Sequence, residues 1–434
     1  MPRAAHSISR EDISDNALKV LYRLNNGGYS AYLVGGCVRD LMLGLKPKDF
    51  DVVTDATPEQ IKKLFRNCRL IGRRFRLAHI VFGREIIEVA TFRGHHDADA
   101  PPAKDKKTAL SHQGEQGQLL RDNVFGTIEE DAERRDFTVN AMYYDIADFS
   151  VKDFANGQEA IARREIDLIG DPETRYREDP VRMLRAVRFA AKLDFHITPR
   201  TEQSIPGLAS LLSHVAPARM FEEVIKLFIS GAGVATFKEM QRLHLFGELF
   251  PSIQPLLVNE QGREYRFLVK VLENTDNRIN TGMRVTPAFF YASVLWYVVE
   301  ERCQQHVFEG GFSHHDAFHL AMNDVLLQQS SRIAIPRRFS SVMRDIWILQ
   351  QRLPKRFGKR AYQILEHPKF RAAYDFLLVR AEVEGGELVD LAQWWTDFYD
   401  ADPGKRKDML AQLRSKSGGP TRRKRAKRKT PKEQ

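Results

Sequence analysis

Asp49 and Asp51 stand one residue apart where a short alternating run, Phe50 to Val53, reads as a strand. Side chains two apart on a strand share a face, so both carboxylates converge on one spot. They repel unless a cation lies between them, and Mg²⁺ takes such oxygens together with substrate phosphates. A pair of such ions clamps the attacking and leaving oxygens of an in-line displacement at phosphorus. The plainer alternative is a strand end carrying two solvated acids. Just upstream, Leu33-Val34-Gly35-Gly36-Cys37-Val38-Arg39-Asp40 sets two glycines between a strand, Ala31 to Val34, and a helix, Val38 to Leu43. Such a turn brings backbone close to an anion, and the helix start adds unpaired N–H groups and a favourable dipole. Triphosphate binding is its natural use, with Arg39 as a charged contact. A Gly-Gly turn alone more often serves chain reversal. The aspartates that follow change its weight.

A third carboxylate is needed, and two are available. Glu88 lies in the strand-like Glu85 to Phe92; Asp136 lies in Arg134-Arg135-Asp136-Phe137-Thr138-Val139-Asn140-Ala141. Glu88 is equally readable as a solvent-facing strand residue, and Asp136 as an ion-pair partner or helix cap. Residue pattern leaves both open. A further cluster runs from Arg177 to Phe189. Arg182, Arg185 and Arg188 recur at steps of three, one turn after Asp179, and form a basic stripe. Carboxylate and guanidinium together match the acceptors and donors of a base edge, while further arginines reach phosphate. Asp179 before Pro180 is also an N-cap followed by a first-turn proline.

The elements that must position these groups follow a simple order. Thr57-Pro58 opens a helix, and His79 to Phe82 and Glu85 to Phe92 read as strands joined at Gly83-Arg84. A mixed α/β sheet is expected. Residues 95–118 lose nearly all apolar character and read as a mobile surface loop, so His95-His96-Asp97 is expected to be solvated rather than metal-bound. From Pro172 onward the pattern is helical, with a clear helix from Asp179-Pro180 to about Leu193. The expected division is a head over 1–170, a helical neck over 171–235, a helical body over 236–413 and a basic tail over 414–434.

The tail is the main asymmetry of charge. Of a net +10, nine charges lie in Arg414 to Gln434, where ten Lys or Arg face one acid, Glu433. Such a block has nothing to bury and is expected to be disordered. Arg422, Arg423, Lys424, Arg425, Lys427, Arg428 and Lys429 are candidates for gripping RNA phosphates; a plain solubility tail is the alternative. The longest apolar run, Ala288 to Val299, is about half of the ~20 residues a membrane span needs and reads as a buried helix. No export signal is legible at the start. Cys37, Cys68 and Cys303, odd in number and far apart, fit a reducing cytoplasm.

The glycine loop, the Asp-x-Asp pair, the Arg134 to Ala141 segment and the helix opened by Glu178-Asp179-Pro180, in this order over residues 15 to 195, resemble the class II tRNA nucleotidyltransferase and poly(A) polymerase family. The resemblance implies a polymerase-β-like nucleotidyltransferase head followed by all-α neck and body domains. It implies template-independent transfer of a nucleotide from an NTP to RNA 3′ ends, with Mg²⁺ (two ions, Mn²⁺ as the alternative). It places Asp49 and Asp51 on the metals, Gly35, Gly36 and Arg39 at the triphosphate, and Arg134, Arg135 and Asn140 near the nucleotide. Asp179, Arg182 and Arg185 would read the base or hold phosphate. Asp136 is catalytic by likeness to the bacterial poly(A) polymerases, with Glu88 as the rival by likeness to related enzymes. Residues 70–80, with Arg73-Arg74-Phe75, and the arginine-rich tail resemble the poly(A) branch, which implies ATP as substrate and single-stranded mRNA or decay intermediates as partners. The alternatives are a CCA-adding tRNA nucleotidyltransferase and a catalytically inactive RNA-binding protein.

Overall fold

The computed structural model of the chain describes residues 1–72, 76–94, 111–113, 119–122 and 124–416. It divides into two compact units, Met1–Pro251 and Ser252 onward. In chain order the strands are β1 (Ala31–Val34), β2 (Asp51–Thr54), β3 (Cys68–Ile71), β4 (Leu77–Phe82), β5 (Glu85–Thr91), β6 (Ser111–Gln113), β7 (Leu119–Asp122), β8 (Met142–Asp145), β9 (Val151–Asp153), β10 (Glu165–Ile166) and β11 (His196–Ile197). Seven of them form one mixed sheet in the order β3-β4-β5-β2-β1-β8-β9. Its single parallel pair, β2 with β5, sits near the middle; the other neighbours run antiparallel.

One sheet face is the main core of the first unit. Leu33, Val52, Val89 and Tyr144 pack there under the helix Asp15–Asn26, which contributes Val20, Leu21 and Leu24, and under Ile61 and Phe65. The opposite face carries a smaller cluster of Tyr32, Val34, Val53, Phe92, Ala132 and Tyr143. It leaves the ends of β2 and β5 open to charged side chains. The helix Pro58–Leu64 starts on a capping box between Thr57 and Gln60, with Pro58 at its first position.

Several boundaries differ from the sequence expectation. The helix after the glycine turn is Gly36–Met42 rather than Val38 to Leu43, and β2 begins at Asp51 rather than Phe50. The stretch beyond Pro172 is not wholly helical: His196–Ile197 pairs in parallel with Glu165–Ile166. The helix Val181–Leu193 has Pro180 at its cap position, so Asp179 sits one residue before a cap. Most of 95–118 lies outside the described residues; its β6 pairs with β7, which follows it. The expected RNA-gripping residues Arg422, Arg423, Lys424, Arg425, Lys427, Arg428 and Lys429 and the Arg73-Arg74-Phe75 element also lie outside them.

The second unit is helical. The apolar run from Ala288 falls in the helix Pro287–Gly310, whose Trp296 is fully buried. Trp347 donates its indole N–H to the Ala292 carbonyl (2.9 Å), and Trp395 donates to Leu353 (3.1 Å). Trp347 and Trp395 thus each satisfy their one polar atom while filling the core. Among the described residues no helix is long and apolar enough to cross a membrane. Cys37, Cys68 and Cys303 are buried free thiols.

Candidate active site

Register brings the candidate residues together. Val34, the last residue before the glycine turn, pairs with Asp51, and Asp51 pairs with Glu88 on the parallel neighbour. Registered partners in a ladder share a face, and Asp51 shares that face with Val53 two residues on. That is the face of Tyr143 and Ala132, not the main core. Asp49 lies two residues upstream of Asp51. Asp51 stands exposed at the start of its strand, yet partial loss of solvation among its neighbours pushes its carboxyl up to about 6, reinforced by the Glu88 charge and then by Asp49, against the pull of Arg135 and Arg185. Among the described residues, neither Asp49 nor Asp51 forms an ion pair. An all-oxygen set of crowded, mutually repelling carboxylates is the donor chemistry that Mg²⁺ fits. Among the described residues, no three His, Cys, Asp or Glu side chains close into a cation cage. An open set of this kind suits an ion that shares its shell with substrate phosphate and water.

Gly35 ends β1 with φ +77° and ψ −136°, a conformation essentially reserved for glycine. A side chain there would also approach Arg135, whose Nη1 lies 3.6 Å from a Cβ built on Gly35. Arg135 therefore leans over the turn. Its Nε donates to Asp131 (3.1 Å) and to the Tyr143 hydroxyl (2.9 Å), and Tyr143 donates in turn to Asp131 (2.8 Å). Arg134 points elsewhere and donates to the Gly94 carbonyl. Cys37 is buried, donates to the Val34 carbonyl and has its thiol pushed up to about 12 by burial and by Asp51, so it is no nucleophile.

A polar chain then runs from the sheet to the helix Val181–Leu193. Arg39 is buried, and its guanidinium donates to Asp40 (2.6 Å) and to the Asn140 side-chain carbonyl (2.7 Å), with Phe189 stacked against it at 5.1 Å. Asn140 donates to Asp136 (3.1 Å), which also accepts from the Phe137 N–H (2.8 Å). The other Asp136 oxygen accepts from Arg185 Nε at 2.7 Å. Burial alone would raise the Asp136 carboxyl, but Arg185 and these hydrogen bonds outweigh it and hold it well below the usual range. Asp136 and Asn140 thereby fasten the head to the helix Val181–Leu193.

The expected basic stripe is half-buried, and each of its arginines meets an acid. Arg182 donates to Glu178 (2.9 Å) and to the Arg175 carbonyl (2.7 Å), and Arg188 approaches Glu223 (3.9 Å). Asp179 is gripped in bidentate fashion by Arg219, at 2.9 and 2.7 Å. Two contributors escape sequence reasoning. Arg219 opens the helix Pro217–Phe228, forty positions from Asp179, with no motif linking them. Arg175 donates to the carbonyls of Arg134 and Arg135 at 2.6 and 2.8 Å, and its place beside the Asp179 motif was the only available hint.

The chain matches the Poly A polymerase head domain over residues 31–167. It matches the probable RNA and SrmB-binding site of polymerase A over 194–257 and the polymerase A arginine-rich C-terminus over 310–429. It is 55% identical to the poly(A) polymerase I of Salmonella typhimurium over 433 residues, covering 99% of this chain and 92% of that protein. Similarity to a CCA-adding enzyme from Lactobacillus helveticus is narrower: 36% over 221 residues, about half of each chain. The fold matches the crystal structure of Bacillus stearothermophilus CCA-adding enzyme in complex with CTP, with TM-score 0.56 and 25% identity over 92% of this chain and 82% of that one. Similarity at that level over nearly the full length, with head, RNA-binding segment and arginine-rich C-terminus each matched, means that the chain belongs to the poly(A) polymerase I family of nucleotidyltransferases.

Proposed function

We propose that this protein adds adenylate residues from ATP, one after another and without a template, to the 3′ ends of RNA. The observation that carries this reading is the register pairing of Asp51 with Glu88 beside the Gly35 turn, in a chain of this family. Asp49, Asp51 and Glu88 are the residues that would hold Mg²⁺ (two ions, Mn²⁺ as the alternative). When bound, the metal supplies Lewis acidity at the attacking hydroxyl and the leaving pyrophosphate. Glu88 is our third carboxylate: among the described residues only one of its oxygens meets a partner, His79 at 3.2 Å, whereas Asp136 commits both its oxygens to Arg185, Asn140 and Phe137.

The chain's own residues do the rest by orientation. Gly35 and Gly36 let the triphosphate approach the backbone, and Arg135 leans over it as a fixed cation. Arg39 and Asn140 brace this seat from beneath rather than touching phosphate. Arg185, held by Asp136, keeps positive charge near the carboxylates. Asp179 is pinned by Arg219, which fixes its carboxylate for reading a base edge, and Arg182 one turn on is fixed by Glu178. Pinning before ATP arrives removes an ordering cost at binding.

The basic tail, Arg422 to Lys429, is proposed to hold single-stranded RNA through phosphates. Truncation after residue 413 should flatten the dependence of RNA affinity on salt; an unchanged slope would remove the tail from this role. We place the activity in the cytoplasm, on mRNA and decay intermediates, a reading supported by three buried free thiols. The test of the function is primer extension on one RNA with ATP alone and with CTP alone. Long A tails are expected. Addition of C to tRNA in their place would transfer the chain to the CCA-adding reaction.

A further inference from the structure

A cavity of about 820 Å³ opens in the second unit, among the helices Arg263–Asn280 and Phe370–Glu384, the loop after the first and the start of Pro287–Gly310. That is the size of sites that take small organic ligands. Its lining divides by chemistry. Met283, Val285, Phe289 and Leu378 supply apolar surface, and the Phe289 ring packs edge-on against Phe376 at 6.0 Å. Arg278, Arg284 and Lys369 supply positive charge. Both acids in the lining are already committed: Asp375 pairs with Arg371 (3.0 Å), and Glu382 with Lys270 (2.7 Å). Among the described residues, no carboxylate pairs with Arg278, Arg284 or Lys369. An apolar floor ringed by three uncompensated cations calls for a ligand that is flat and apolar in part and anionic beside it.

We infer that this cavity is a nucleotide subsite for the RNA strand upstream of its 3′ end. An unpaired base lies against Phe289 and its apolar neighbours, and the adjoining phosphates lie on Arg278, Arg284 and Lys369. The inference rests on RNA being the substrate, as proposed above. Its chemistry suits a strand of any sequence, since every base offers a ring face and every linkage a charge. Arginine binds phosphate oxygens with paired N–H donors and keeps its charge at all relevant pH values. An acidic peptide would answer the cations but would leave the apolar floor without an occupant. A second hold on the strand, remote in sequence from the nucleotide-adding residues, would keep the RNA bound while its end is released and reset after each addition.

The test uses the full-length protein and oligo(A) primers of three to twenty-five nucleotides. In Arg278→Gln/Arg284→Gln, the KM for long primers is expected to rise about tenfold. The KM for ATP and for the trinucleotide primer should stay at wild-type values. Removing two phosphate contacts should lower the slope of log affinity against log salt by about 1.4. In Phe289→Leu, the preference for an intact strand over one with a single abasic nucleotide should vanish at one primer position, with thermal stability checked alongside. Long primers extended by the double variant with wild-type KM and salt slope would overturn the subsite while leaving adenylate transfer intact. So would a double variant that loses affinity for polyglutamate while keeping wild-type affinity for oligo(A), since the cavity would then be a peptide site. A wild-type protein that extends no RNA with ATP would instead defeat the underlying function.

Discussion

Asp51 and Glu88 are register partners on neighbouring parallel strands, and after partial loss of solvation the Glu88 charge is the largest influence holding the Asp51 carboxyl up to about 6. The folded protein therefore binds this proton more tightly than the unfolded chain does. Stability from that source is present at low pH and is lost as pH rises through about 6. With chelator present, Asp51→Asn should raise the melting temperature at pH 8, by roughly 2–4 °C if solvent screening leaves about 1 kcal/mol. The gain should shrink as pH falls through 6. Mg²⁺ should stabilise the wild type at pH 8 and the variant much less. A variant less stable than wild type at pH 8 would contradict the crowding of charge.

The Asp136–Arg185 pair makes a different prediction, because breaking a part-buried pair leaves a poorly solvated charge without its counterion. Asp136→Asn or Arg185→Met alone should cost about 1–3 kcal/mol of stability, since the pair is only partly shielded from solvent. The double variant should cost less than the sum, with a coupling of about 1–3 kcal/mol in a denaturant-monitored cycle. Asp136 is held below its ordinary value, so its contribution is present above the usual carboxylate range and fades as pH falls through and below it. Strict additivity would mean that Asp136 does not act through Arg185.

Arg219 should matter to ATP and not to RNA. Hydrogen bonds to a charged group are worth about 1.5–3 kcal/mol, so Arg219→Ala should lower kcat/KM for ATP roughly 10- to 100-fold. Arg219→Lys should recover little, because an ammonium lacks the fork that engages both Asp179 oxygens. Steady-state kinetics with each substrate varied in turn separates the two. An effect confined to the RNA KM would remove Asp179 from nucleotide recognition.

What was legible in the sequence follows from periodicity and punctuation. Ala31–Val34, Leu77–Phe82 and Glu85–Thr91 appear as strands where alternation and glycines marked them, and Thr57-Pro58 starts its helix as its cap chemistry requires. Met142–Asp145 went unread because, unlike the equally buried Ala31–Val34, it has no glycine beside it to mark its end, although it pairs directly with β1. The two rival carboxylates could not be separated in one dimension. Their difference is one of ladder register: Glu88 becomes a neighbour of Asp51 only through a parallel pairing, and Asp136 is drawn to Arg185 only once the helix Val181–Leu193 docks. Arg39 and Arg182 looked like phosphate or base contacts by type. Their partners Asn140 and Glu178 show how much of that arginine set holds the site together. The one-turn spacing of Arg182, Arg185 and Arg188 was real, but the acids facing it, Asp136 and Glu223, came from other parts of the chain.

The most direct measurement is extension of a labelled RNA primer with ATP and Mg²⁺ by wild type and by Asp51→Ala, each first confirmed as folded. Long A tails from the wild type, and a loss of at least about 10²-fold in the variant, are the expected result. Incorporation by Asp51→Ala within a few fold of wild type would contradict the assignment of the Asp51 and Glu88 strand ends as the metal-holding centre of adenylate transfer.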